Sequence, residues 1–182
     1  MGLFRLILFI LEMKIIHFGE IYRLISFDYF IKYHRLNLKD LSILDVGFNK
    51  GLFRWYFTDL HGCLKYSGVE IDRNFLDIYP NTFYHNFERN KLNKYYDFIF
   101  CSHVLEHIND DHQFLKNMAC SLNDQNGKLL LRVAMPTDEK IPISRMLVRG
   151  FTPNDRKPST VVNAVIKIGG LVFVRVWASC YL

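Results

Sequence analysis

Several absences narrow what this chain can be. Its four cysteines, Cys63, Cys101, Cys120 and Cys180, are scattered among 182 residues with no CxxC pair. That spacing offers neither a disulfide scaffold nor a paired thiolate metal site. Cys101 and Cys120 fall in apolar stretches, where a reduced thiol packs as a small hydrophobe. A reducing, cytoplasmic setting follows as the expectation. No apolar run is long enough to cross a bilayer, which takes about 20 uninterrupted residues; Arg5, Glu12 and Lys14 break the one apolar stretch, at the N-terminus. That stretch has no small-residue cleavage site for a secretory signal. Leu6 stands where N-myristoylation needs Ser or Thr. Repeats and low-complexity tracts are missing as well. No G-x-G-x-x-G dinucleotide fingerprint is present, since Gly47, Asn49 and Leu52 occupy its positions, and no Gly-Lys-Ser/Thr completes a phosphate P-loop.

What is present suffices for one domain with a real core. Half of the residues are hydrophobic and the net charge is only +5, a mildly basic balance that suits an anionic partner but is shared by many ordinary enzymes. The most informative stretch is SILDVGFNKGLF, residues 42–53. Ile43, Leu44 and Val46 read as a buried strand, and Gly47 and Gly51 bracket a turn into a helix. Such a turn aims backbone N–H groups at whatever lies above the sheet edge. Asn is the residue other than glycine that best tolerates positive φ, so Asn49 can replace a middle glycine. Asp45 places a carboxylate in an otherwise apolar strand, which calls for a partner. Glu70 ends the next strand, where a carboxylate can accept from a ribose diol, with Asp72 as the fallback.

Beyond this turn the chain alternates. Strands are expected at Ser42–Val46, residues 64–71, 82–86, 96–102, 127–134 and Leu171–Trp177. Helices are expected at residues 51–60, Arg73–Ile78, 110–122 (with Asp110 and Gln113 as a capping box) and Val161–Ile168. Gly169-Gly170 would stop the last of these. This pattern implies an α/β, Rossmann-like doubly wound and mostly parallel sheet with helices on both faces. Binding is then expected at the carboxyl ends of the strands. Residues 1–40 read as apolar helices, packed on the domain or resting on a membrane surface, and residues 41–182 as the domain proper.

ILDVGFNKG, YSGVEID, YDFIFCSHVLEHIND and LNDQNGKLLLRVAMP, in this order and spacing, resemble the class I S-adenosylmethionine-dependent methyltransferases. The pattern looks closest to the group that includes ubiquinone and menaquinone biosynthesis methyltransferases. The resemblance covers residues 42–135, and more loosely the chain to residue 177. It implies S-adenosyl-L-methionine as cofactor. Asp45, Gly47, Asn49 and Gly51 would hold its methionine end, and Glu70 its ribose hydroxyls. Ile71 would pack on the adenine, with Asn86 near the adenine amino group. Ser102 and His103 would face the sulfonium side. The family sheet normally ends in a seventh, antiparallel strand. Six strands are expected here, with an exposed edge; the alternative is a hairpin of residues 161–167 and Leu171–Trp177.

Methyl transfer to a small-molecule, lipid or sugar acceptor is therefore expected, with His103 or His107 as the base if the acceptor is a hydroxyl or an acidic carbon. No Asn/Asp-Pro-Pro-aromatic motif or Pro-Cys pair follows the fourth strand, so nucleic-acid bases are not expected as acceptors. The alternative is a catalytically silent protein that keeps the fold for binding or scaffolding. HVLEH, residues 103–107, also matches the inverted zinc-peptidase pattern, for which Glu139 is the only later glutamate; no metal is expected. Lys140, Arg145, Arg149, Arg156 and Lys157 follow the fifth strand and suit either a lid that attracts an anionic acceptor or lipid head group, or a solvated loop.

Overall fold

The computed structural model describes Leu11, residues 18–123 and 127–132, and the backbone of Val161–Ile168 and Leu171–Trp177. The N-terminal apolar stretch up to residue 17 (Leu11 apart), the basic segment 140–157 and Glu139 lie outside the described residues. Helix α1 (Phe18–Tyr33) precedes strand β1 (Ser42–Val46). A short helix α2 (Leu52–Trp55) runs into a π-turn at Tyr56–Leu60, and β2 (Lys65–Glu70) follows. Then come a 3-10 turn (Arg73–Ile78), β3 (Thr82–Tyr84), β4 (Phe98–Ser102), a second 3-10 turn (Leu105–His107), helix α3 (Asp111–Ala119) and β5 (Lys128–Arg132). The backbone of β6 (Val161–Ile168) and β7 (Leu171–Trp177) completes the order 3-2-1-4-5-7-6. β1 to β5 are parallel, whereas β7 runs antiparallel to β5 and β6.

Three expectations change here. Val161–Ile168 is a strand rather than a helix, so the sheet carries the hairpin and not the short edge. The reason is local chemistry that the glycines obscured: VVNAVIKI holds five β-branched residues, which fit a pleated surface better than a helix. Ile168 pairs with Leu171, leaving Gly169-Gly170 as a two-residue connection rather than a helix stop. The capping box is only half made. Asp110 accepts from the Gln113 amide at 2.9 Å, but the Gln113 side chain donates to Asn117 Oδ1 at 2.9 Å. In its place Glu88 Oε1 accepts from the Asp110 amide at 3.2 Å. Cys63 and Cys101 are free thiols, whereas Cys120, expected as a packed thiol, is disulfide-bonded. It sits half-buried at the end of α3, where a sulfur can be reached by another.

Side chains alternate across each strand, and the two faces build separate cores. Ile43, Phe98, Phe100 and Leu130 point to one side, where Leu24, Phe27, Phe30 and Ile31 of α1 meet Phe53, Tyr56 and Phe57. Phe27 is the hub of that layer, with the rings of Phe53, Tyr56, Phe57 and Phe100 at 5.2, 5.0, 5.6 and 4.8 Å. Leu44, Val46, Ile99, Cys101, Leu129 and Leu131 point to the other side, against Phe114, Met118 and Ala119 of α3. Burial of Asp28 in the first layer is offset by the Tyr56 hydroxyl, which donates to it at 3.0 Å, and by an ion pair with Lys32. No described helix is long and apolar enough to cross a membrane.

A carboxylate at the start of β4 locks the central strands in register. Asp97 Oδ2 accepts from the amide and hydroxyl of Ser42 at 2.8 and 2.7 Å, and Oδ1 from Asn123 at 3.0 Å. Burial works against ionisation of Asp97, but these bonds and the Lys65 charge outweigh it and hold its pKa below the ordinary carboxylate range. Its contribution is thus present above the unfolded carboxylate pKa and is lost as pH falls through the lower folded value. Asp97→Ala should cost about 2 kcal/mol at neutral pH, since it removes several bonds to one charged acceptor. Urea denaturation of both proteins measures this, and a loss below about 0.5 kcal/mol would show that the clamp adds nothing beyond strand pairing.

Candidate active site

The turn after β1 holds three left-handed residues within five positions: Gly47, Asn49 and Gly51, with φ of +73°, +48° and +78°. Each glycine is required by a close neighbour. A Cβ on Gly47 would meet Val104 Cγ2 at 2.3 Å, and one on Gly51 would meet the Tyr79 ring at 2.4 Å. Asn49 occupies the middle position in the conformation that glycine would take there. The turn is tied down at both ends. The Gly47 amide donates to the Val69 carbonyl at 2.8 Å, and the Tyr79 hydroxyl donates to the Lys50 carbonyl at 2.8 Å. Arg54 lies 4.7 Å above the Tyr79 ring.

Glu70, at the end of β2, joins this turn to the next. Its carboxylate accepts from the amides of Asn49 at 3.2 Å, Ile71 at 2.8 Å and Asp72 at 3.4 Å. A carboxylate offers about four acceptor sites, so capacity for a ligand remains. Beside it, Ile71 is 55% exposed, a large apolar side chain held open to solvent. Asn86 shapes the next turn by accepting from the Glu88 amide at 2.8 Å. These elements surround a cleft of about 230 Å³ whose walls include Gly47, Asn49, Glu70, Ile71, Asn86 and His103. His107 is also in the wall. Asp45, Gly51 and Ser102 are not: Asp45 is buried within β1, Gly51 immediately precedes α2, and Ser102 ends β4. His85, Phe87, Glu88 and Val104 line the cleft too and were not singled out from the sequence. The only signal for three of them was adjacency to Asn86.

Asp45 finds its partner in Tyr66, whose hydroxyl donates to it at 3.1 Å. At 2% exposure, burial pushes its pKa up to about 7; the Tyr66 bond opposes that rise and the Glu70 charge adds to it. His103 is left-handed as well, at φ +56°. Its amide donates to the Arg132 carbonyl at 2.8 Å, and its Nδ1 lies 3.2 Å from Glu106 Oε1. Burial first, then the charges of Arg23 and Arg132, lower its pKa, against the opposing pull of Glu106. The imidazole is therefore neutral at physiological pH. With the Nδ1 proton given to Glu106, Nε2 carries the lone pair, and that buried atom has no partner. HVLEH is not a helix: His103 precedes a 3-10 turn over Leu105–His107, which removes the one-face geometry that a shared metal would need.

Residues 23–165 match a family described as a methyltransferase domain, and the chain belongs to that family. Among solved structures it resembles magnesium protoporphyrin IX methyltransferase from Synechocystis, determined with bound S-adenosylmethionine. There the identity is 15%, the TM-score 0.54, and the match covers 82% of this chain and 76% of that one. It also resembles a methyltransferase from Aquifex aeolicus (16% identity, TM-score 0.51, 77% and 91% covered). A third is an amino pentose methyltransferase of calicheamicin biosynthesis from Micromonospora echinaspora (17%, 0.52, 63% and 52%). At these identities the likeness is one of fold. The chain spans about a third to a half of the length of the first solved structures it matches. No curated protein matches it.

The raised pKa of Asp45 has a consequence for stability. Between about pH 4 and pH 7 the folded protein keeps a proton that the unfolded chain releases, so stability falls as pH rises through that window and levels off above it. Asp45→Asn removes this dependence while keeping an acceptor for Tyr66. At pH 8, relative to pH 4, the variant should gain about 2–4 kcal/mol on the parent, at roughly 1.4 kcal/mol per pKa unit. Thermal denaturation across this pH range tests it, and parallel curves for the two proteins would disprove it.

Proposed function

We propose that this protein is an S-adenosylmethionine-dependent methyltransferase acting on a small-molecule acceptor. The observation that carries this reading is the link from Glu70 to left-handed Asn49, which sets a carboxylate, an exposed isoleucine and a glycine-bracketed turn around one cleft. The residues present fit the cofactor. Spare acceptor capacity on Glu70 suits a ribose diol, exposed Ile71 suits the face of an adenine, and Gly47 leaves room where any Cβ would collide. When bound, S-adenosylmethionine supplies a methyl group already activated on a positive sulfur.

This chain's own residues would bind, orient and exclude water. Gly47, Asn49 and Gly51 hold the turn open beneath the methionine end, with Asp45 supporting it from below. Asn86 stands near the adenine amino group, and Ser102 and His103 stand toward the sulfonium. If the acceptor is a hydroxyl or an acidic carbon, neutral His103 takes its proton at Nε2, the buried atom without a partner. His107, further along the same wall, is the second candidate.

One observation favours a silent binding protein instead: three backbone amides already occupy most of the Glu70 acceptor sites without any ligand. Calorimetry with S-adenosylmethionine separates the two readings. The parent should bind, and Glu70→Ala should weaken binding at least about tenfold, since it removes both the diol acceptor and the tie to the turn. Asn49→Gly should change affinity less than about twofold, because Asn49 already has a glycine-like φ. Absence of binding, or binding indifferent to Glu70→Ala, would refute the enzyme reading.

A further inference from the structure

Leu130 belongs to the core layer under α1, so Arg132, two residues on, projects toward the same helix. There its Nη1 donates to the Arg23 carbonyl at 3.2 Å, and its guanidinium lies 6.0 Å from the Tyr22 ring. Arg132 is only 7% exposed. The other charged side chains in the described core are matched: Asp28 has Lys32 and Tyr56, and Asp45 has Tyr66. Arg132 is the exception. Among the described residues it has no carboxylate partner, and neither has Arg23. A buried cation left without an anion is costly, and a guanidinium has five donors to place. Burial and the Arg23 charge lower the Arg132 pKa to about 10, with Tyr22 opposing, which still leaves it charged at neutral pH.

The position of this cluster gives it a use. Arg132 closes β5 in register with Ser102 of β4, at the carboxyl edge of the sheet where ligands bind in such folds. His103, whose amide is bonded to the Arg132 carbonyl, is in the wall of the cleft, and its buried Nε2 has no hydrogen-bond partner. We propose that Arg132 and Arg23 form an anion site that holds a carboxylate or phosphate of the methyl acceptor, next to His103. The proposal rests on the methyltransferase reading for the word acceptor, but not for the anion site itself. An anion there supplies the missing countercharge, and a guanidinium can grip either group in a bidentate way. Acceptors of this class are hydroxy or enolic acids, or phosphate esters, rather than neutral amines.

Calorimetry on the full chain tests this with inorganic phosphate and with benzoate, each titrated with and without S-adenosylhomocysteine. Binding at a Kd of about 1 mM is expected, and R23Q should weaken it at least about fivefold. R132Q should abolish it; because Arg132 is buried and that variant is the one at risk of misfolding, half-exposed Arg23 carries the test on its own. S-adenosylhomocysteine affinity should be the same in R23Q as in the parent. Neither anion binding up to about 20 mM, or equal binding by the parent and R23Q, would overturn the proposal. Anion binding without any S-adenosylhomocysteine binding keeps the anion site and refutes only the methyltransferase reading. Vesicles of phosphatidylglycerol set against phosphatidylcholine separate the sources: R23Q-sensitive pelleting with the anionic vesicles assigns the site to a lipid head group. Binding of the free anions alone assigns it to a small acceptor.

Discussion

The site depends on one contact, the approach of Val104 to the backbone of Gly47. β1 and β4 are neighbours in the sheet, so the chain leaving each must pass over the same edge. A side chain on Gly47 would close that passage, with Val104 Cγ2 only 2.3 Å from where its Cβ would stand. Gly47 is left-handed, and Asn49 and Gly51 turn in the same sense before the chain enters α2. The Asn49 amide is thereby brought to Glu70, and the end of β2 becomes part of the same wall. The turn and one wall of the cleft thus follow from a steric requirement that the pairing of β1 with β4 imposes.

The sheet's two faces divide the remaining work. The face covered by α3 is sealed by Leu44, Val46, Ile99 and Leu131. The face covered by α1 is packed around Phe27 for most of its width, but at the carboxyl edge it gives way to Arg132 and Arg23. Helix α1 therefore both closes the core and furnishes the polar rim beside His103.

Burial sets the charge states at this edge. It raises the Asp45 pKa and lowers that of His103, in each case favouring the neutral form. Arg132 cannot neutralise in this way, since an arginine stays protonated at any physiological pH. The edge of β4 and β5 consequently combines a neutral imidazole with a fixed positive charge.

Much of this was legible in the sequence. The short apolar runs of SILDV and FIFCS mark the central strands, and Gly47, Asn49 and Gly51 announce positive φ, because backbone permissiveness is a property of single residues. Glu70 was legible from its spacing after the turn. The family resemblance came from four such local signals in order. What the residues alone left undecided depends on partners far apart in the chain. Asp97 is an ordinary loop carboxylate until Ser42, 55 residues earlier, meets it. Arg132 reads as a strand-end charge, and only the crossing of α1, 109 residues away in sequence, buries it. The sequence by itself determined periodicity and permitted dihedrals, which are local. Tertiary structure alone decided which charges lost water and which found a partner, because desolvation depends on everything packed around a group.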